Sequence, residues 1–156
     1  MSEMTSLRER FMGDLKEAMK AGEKGKVGAI RLIQAALKDK DIEARGAGTG
    51  EASADEILAL LQKMIKQRQE SIAIYDANGR PELAAGERAE VDVISSYLPK
   101  QMSEDEVKAA IAAAVTESGA ASMKDMGKVI AILRANYAGQ MDFSKASGLV
   151  KAALGG

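Results

Sequence analysis

The chain contains no cysteine, no histidine and no tryptophan, and only two prolines among its 156 residues. Without cysteine there is no disulfide, no thiol nucleophile and no zinc–thiolate or iron–sulfur site. Without histidine, Ser-His-Asp and Cys-His machinery is excluded, and the commonest metal ligand is missing. Acid–base chemistry would fall to carboxylates, lysine or tyrosine. Aromatic residues make up 3% of the chain, so the side chains that strands favour are sparse. The longest apolar stretch, residues 109–115, is far too short to cross a bilayer. No signal-peptide pattern opens the chain, and the expected address is cytoplasmic, with no membrane contact. An excess of positive charge is absent as well. Lysine plus arginine number 22 and aspartate plus glutamate 23, a net charge of −1, unlike a strongly basic nucleic-acid-binding protein.

What is present is helical. Hydrophobic residues are 46% of the chain, and much of that share is alanine, the best helix former. Seven helical segments can be read. Ser6 and Glu9 open the first with a capping-box pattern, and Leu7, Phe11, Leu15 and Met19 recur every four residues. GEKGK (22–26) interrupts it, and a second helix carries Ile30, Ile33, Leu37 and Ala44. RGAGTGEAS (45–53) reads as a flexible loop. Ser53 with Glu56 caps a long helix through Ile57, Leu61, Ile65, Ile72 and Tyr75, which Asn78-Gly79 ends. Pro81 suits the first turn of the fourth helix, whose Val91, Ile94 and Leu98 lead to Pro99. Ser103 with Glu106 starts a fifth helix through Val107, Ile111 and Val115. Ser122 caps a sixth with Met126, Val129, Ile130 and Leu133, and Asp142 a seventh with Leu149, Val150 and Ala153. The expectation is an all-α protein of two helical domains: a bundle of about four helices at 1–98 and a three-helix domain at 99–156.

Few residues suggest chemistry. GEKGKVG (22–28) lacks the Lys-Ser or Lys-Thr and the preceding strand of a phosphate loop, and reads as a helix–helix turn. The carboxylate groups at Asp55/Glu56 and Glu104/Asp105/Glu106 sit in first turns, where negative charge complements the helix dipole. Asp39/Asp41 form another pair without an evident role. Arg68 falls inside the apolar stripe of the long helix, and Glu87, Glu90 or Asp92 of the next helix could pair with it. No metal-ligand constellation stands out. From Gly119 onward five cations (Lys124, Lys128, Arg134, Lys145, Lys151) face two anions, a local charge of +3. Gly127 lies between two of those lysines. It suits either close packing or the approach of an RNA backbone, and phosphate contact needs such a small lysine and arginine cluster. On charge alone a solvated surface remains the simpler reading.

Three stretches together resemble a known family: LLQKMIKQRQESIAIYDANGRPEL (60–83), AEVDVISSYLPKQMSEDEV (89–107) and MGKVIAILRANYAGQMDFSKASGLVKAAL (126–154). The chain is similar to the GatB/YqeY family, specifically its stand-alone YqeY-like proteins. The resemblance implies two all-helical domains, the second similar to the tail of the B subunit of the tRNA-dependent amidotransferase. That tail is a tRNA-contacting appendage, and the catalytic centres lie elsewhere in that enzyme. The resemblance therefore implies a non-catalytic tRNA-binding or accessory module. The family label of carbon–nitrogen ligase with glutamine as amido-N-donor is inherited from the larger enzyme. It implies tRNA, an amidotransferase or an aminoacyl-tRNA synthetase as partners; the residues themselves call for no cofactor and no metal. The matching tail residues are Gly127, Lys128 and Gly139, with Lys145 and Lys151 more loosely placed; Lys124 and Arg134 complete the candidate tRNA-binding set. The alternative is a protein-interaction adaptor without RNA binding, using Met64, Met123, Met126 and Met141 as an adaptable apolar surface.

Overall fold

A computed structural model describes residues 6–155 of the chain. Among them lie seven α-helices and no strand. Four form the first of two compact units, residues 1–98: α1 (Leu7–Ala21), α2 (Lys24–Gly46), α3 (Ala54–Ala77) and α4 (Pro81–Ser95). The second unit, residues 99–156, holds α5 (Glu104–Ser118), a 3-10 turn (Met123–Asp125), α6 (Met126–Tyr137) and α7 (Phe143–Ala153). The all-α class follows from the alanine-rich, strand-poor composition.

In the first unit α3 lies along α4, and α2 packs against α1, α3 and α4. Phe11, Ile30, Ile33, Leu61 and Ile94 are almost completely buried at its centre. In the second unit α5, α6 and α7 close on one another around Ile111, Ala114, Val129, Leu133, Ala146 and Val150. Full burial of each such side chain contributes about 1.5–3 kcal/mol, so these two clusters carry most of the stability.

Local signals act as the residues suggest. Ser53 and Ser103 accept the N–H of Glu56 and Glu106, whose carboxylates accept the serine N–H at 2.9 Å in both boxes. Those main-chain bonds hold both glutamates below the usual carboxylate range. Ser6 accepts the Glu9 N–H at 3.1 Å, and its hydroxyl donates to the Glu9 carboxylate. Gly22 ends α1 in the left-handed region, but the turn is confined to Gly22 and Glu23: residues 24–28 of GEKGKVG already belong to α2, so most of the expected helix–helix turn is helix.

Six further expectations are corrected. Met19 is 54% exposed and Ala18 takes its place in the core. Residues four apart overshoot a full turn by about 40°, so a strict four-residue spacing rotates off the buried face within a few steps. The 45–53 segment is anchored rather than loose: α2 runs on through Gly46, and Ala52 is buried in the core. The α-helical part of α4 ends at Ser95, not Leu98. Tyr97 and Leu98 continue in a tighter turn, their N–H groups donating to Ile94 and Ser95 carbonyls at 3.1 and 3.0 Å, which brings Tyr97 to the core. Ser122 caps the 3-10 turn, and α6 starts only at Met126. Leu149 is 38% exposed, while Met64 and Met141 are core residues and cannot furnish a surface.

Candidate nucleic-acid interface

The second unit positions the tail residues singled out in the sequence. Lys124 lies in the 3-10 turn, Gly127 and Lys128 in the first turn of α6, and all three are exposed. A Cβ built on Gly127 would meet nothing within 4 Å. The glycine is therefore not a packing device, and its backbone is open to solvent. Lys128 Nζ lies 3.7 Å from Asp125 Oδ1. Asp125 also accepts the Ala121 N–H at 3.0 Å, and that bond, helped by Lys128, holds its carboxyl below the usual range. Asp125 thus ties the 3-10 turn together and offsets part of the local positive charge.

The other tail residues divide. Arg134 is exposed, with its guanidinium 4.9 Å from the centre of the Phe143 ring, joining α6 to the start of α7. Lys145 and Lys151 are exposed on α7. Lys128 and Arg134 are six residues apart on α6, as are Lys145 and Lys151 on α7. Six residues of helix separate side chains by about 120° around the axis, so neither pair shares a face. Gly139 is buried in the left-handed region at φ 77°, and its carbonyl accepts Gln101 Nε2 at 2.6 Å. Beside it, Met102 N–H donates to the Gln140 carbonyl at 2.9 Å. Gly139 is a structural glycine that seats the chain entering α5. Lys124 and Lys128 are the two tail cations closest in sequence, four residues apart across the junction of the 3-10 turn and α6.

An aspartate stands at the N-cap of each of the last two helices. Asp125 precedes α6 beside Lys124 and Lys128, and Asp142 accepts the N–H groups of Ser144 and Lys145 at 2.9 and 3.4 Å at the start of α7, offsetting the partial positive charge of those helix ends.

The first unit contains three polar networks that bear on chemistry. Arg8 makes a fork with Asp41, Nη1 to Oδ2 and Nη2 to Oδ1 both at 2.8 Å, and Nη2 also donates to the Ala52 carbonyl at 3.0 Å. The Ala52 N–H donates to Asp41 Oδ1 at 2.9 Å. Arg8 first, then the Ala52 N–H, hold the Asp41 carboxyl at about 2. Tyr97 donates to Asp14 at 2.6 Å, its ring meets Phe11 edge-on at 4.8 Å, and Arg10 lies over its face. Burial, with Asp14 adding, pushes the Tyr97 phenol well above its ordinary range. Arg68 Nε donates to Glu90 at 2.7 Å, with Glu87 at 3.9 Å, so the expected interhelical pair forms with two of the three candidates.

Sequence reasoning missed the Arg8–Asp41–Ala52 network. The signal was there: Asp41 follows Leu37 by four residues and precedes Ala44 by three, on the buried stripe of α2. A charge on an apolar stripe demands a partner. In each network the carboxylate is engaged by a guanidinium, a main-chain N–H or a phenol, an arrangement that fastens helices together.

Known proteins place the chain. A Saccharomyces cerevisiae (strain YJM789) protein named "Altered inheritance of mitochondria protein 41, mitochondrial" is 40% identical over 86 residues, 55% of this chain and 45% of its own length. Proteins of the same name from Lachancea thermotolerans and Vanderwaltozyma polyspora are 33% identical over 106 residues (67% and 55%) and 35% over 85 residues (54% and 44%). The chain spans about half the length of these curated relatives. Their names describe mitochondrial proteins, and this overturns the cytoplasmic address expected from the sequence. That expectation rested on missing features. Among the described residues no helix is long and apolar enough to cross a membrane, and such an absence does not distinguish one aqueous compartment from another. The family model described as "Yqey-like protein" matches residues 8–154, and the chain accordingly belongs to the YqeY-like family.

Proposed function

We propose that the chain is a non-catalytic accessory module that contacts tRNA through its second unit. The observation that carries this reading is the exposed Lys124–Gly127–Lys128 segment, where two lysines flank a backbone with open space above it. A phosphate backbone needs closely placed cations and room to approach, and it needs no base-reading aromatic residue. The non-catalytic part rests on the networks of the first unit. Glutamine-dependent amide transfer requires an activated nucleophile, and Arg8, Asp41, Tyr97, Asp14, Arg68 and Glu90 are committed to one another. A partnership with an amidotransferase or an aminoacyl-tRNA synthetase is the corresponding cellular setting.

The test is tRNA binding to the purified chain, titrated against salt. A log–log slope of about −2 to −4 is expected, since a few phosphate contacts release a few counterions. Lys124→Glu with Lys128→Glu should remove the binding. Absence of binding at low salt, or binding indifferent to both reversals, refutes the reading. Glutamine-dependent amidation of misacylated tRNA by the chain alone would refute its non-catalytic part.

A further inference from the structure

We propose that the open face between α1 and α2 is a docking surface for an acidic amphipathic helix of a partner protein. This inference is independent of the tRNA reading, because it concerns the other unit and another class of partner.

The face is concave. Met12 from α1 and Gln34 and Lys38 from α2 stand around a groove of about 210 Å³, with Phe11 and Leu37 beneath and the Arg8–Asp41 pair at one end. Arg8 meets Asp41 while the chain reverses at Gly22 and Glu23, so the two helices run antiparallel. Met19 follows Met12 by seven residues, and Arg31 precedes Lys38 by seven. Seven residues return to nearly the same side of a helix, about 10 Å further on. The face therefore continues from Met12 and Lys38 to Met19 and Arg31.

Its chemistry is apolar in the middle and positive at the edges. Met12 and Met19 are 57% and 54% exposed, a cost that no contact among the described residues repays. Lys16 lies one turn from Met12. Lys16, Arg31 and Lys38 are exposed, and none has a carboxylate within 4 Å among the described residues. Flexible methionine side chains mould themselves to an apolar partner, and a helix in a groove presents anchors at i, i+3 or i+4, and i+7. Anchors seven residues apart match the span from Met12 to Met19. Glutamates or aspartates beside those anchors would meet Lys16 on one edge and Arg31 and Lys38 on the other. A nucleic acid fits less well. Phosphates would use the cations and leave the methionines bare, and bases need accessible aromatic faces, whereas Phe11 is 1% exposed.

The test uses the full chain and a fluorescein-labelled acidic peptide with leucines at i, i+3 and i+7 and glutamates between. Controls are an order-scrambled peptide of the same composition and a version with lysines replacing the glutamates. Saturable binding of the first peptide alone is expected by anisotropy. Met12→Glu with Met19→Glu, and separately Arg31→Glu with Lys38→Glu, should each weaken it about tenfold or more. Both pairs are exposed, and circular dichroism verifies the fold. Lys124→Glu with Lys128→Glu should leave peptide binding intact. Equal binding of the scrambled peptide, no binding of any peptide, or insensitivity to both pairs of substitutions overturns the proposal. So does an RNA oligonucleotide that binds this face where the acidic peptide does not.

Discussion

Replacing Asp41 by asparagine isolates one charge within the first unit. The carboxylate accepts two bonds from Arg8 at 2.8 Å and one from the Ala52 N–H at 2.9 Å. Asparagine keeps the shape but turns one acceptor into a donor facing the guanidinium. The magnitude follows from the carboxyl's own titration. A folded value of about 2 against the ordinary 3.8 corresponds to about 2 kcal/mol, at 1.36 kcal/mol per unit. Arg8 keeps 30% of its side chain in water, which screens the attraction, so about 2 kcal/mol is the upper end. The sign is that of a depressed acid: its contribution is complete above the ordinary aspartate value and is lost as pH falls toward 2. Urea unfolding of wild type and Asp41→Asn, read from NMR methyl signals of Ile30 and Leu37, should therefore show a gap of about 1–2 kcal/mol at neutral pH. The gap should close between about pH 4 and pH 2, where protonated Asp41 becomes the neutral equivalent of asparagine. A gap that stays constant across that window, or is absent at neutral pH, refutes the assignment of Asp41 as the depressed, anchoring carboxylate.

Other perturbations test separate features. Tyr97→Phe keeps the edge-on contact with Phe11 but removes the 2.6 Å bond to Asp14; thermal unfolding should show a loss of about 1–2 kcal/mol. Arg68→Ala strips Glu90 of its partner between α3 and α4, and denaturant unfolding should register a cost of about 1–3 kcal/mol. The two tail glycines should respond in opposite directions. Gly127→Ala meets no neighbour and should raise stability by about 0.5–1 kcal/mol. Gly139→Ala forces a side chain into the left-handed region at φ 77° and should lower it by about 1 kcal/mol or more, measured by the melting of the second unit.

The helices were legible because their signals are local. Ser53 with Glu56 and Ser103 with Glu106 mark starts within three residues of sequence, and Gly22, Gly79 and Gly119 mark stops. Arg68 could be paired in advance because a cation on a buried stripe has few places to go. The anchoring of Ala52 was not legible. It depends on Asp41, eleven residues earlier, and on Arg8, forty-four residues earlier, and a glycine-rich segment gives no hint of such ties. Tyr97 was hidden by a departure from α geometry in the last turn before Pro99. The candidate site was legible as a list but not as a surface. Charge counting set Lys124 beside Lys128 and equally beside Lys151, and it gave Gly139 the same standing as Gly127. Six-residue spacings scatter the cations, and burial removes Gly139.

The bond from Tyr97 to Asp14 spans 83 residues and ties the last turn of the first unit to its first helix. This sets a schedule for a chain made from its N-terminus. At about 5–20 residues per second, α1 emerges several seconds before its partner. During that interval Phe11 lacks the ring that later covers its edge, and helices can form without the bundle closing. The unit can close only when its final residues have been delivered. A nascent chain stalled just short of residue 97 would thus carry a complete set of four helices and still present an unsealed apolar side to the chaperones around it.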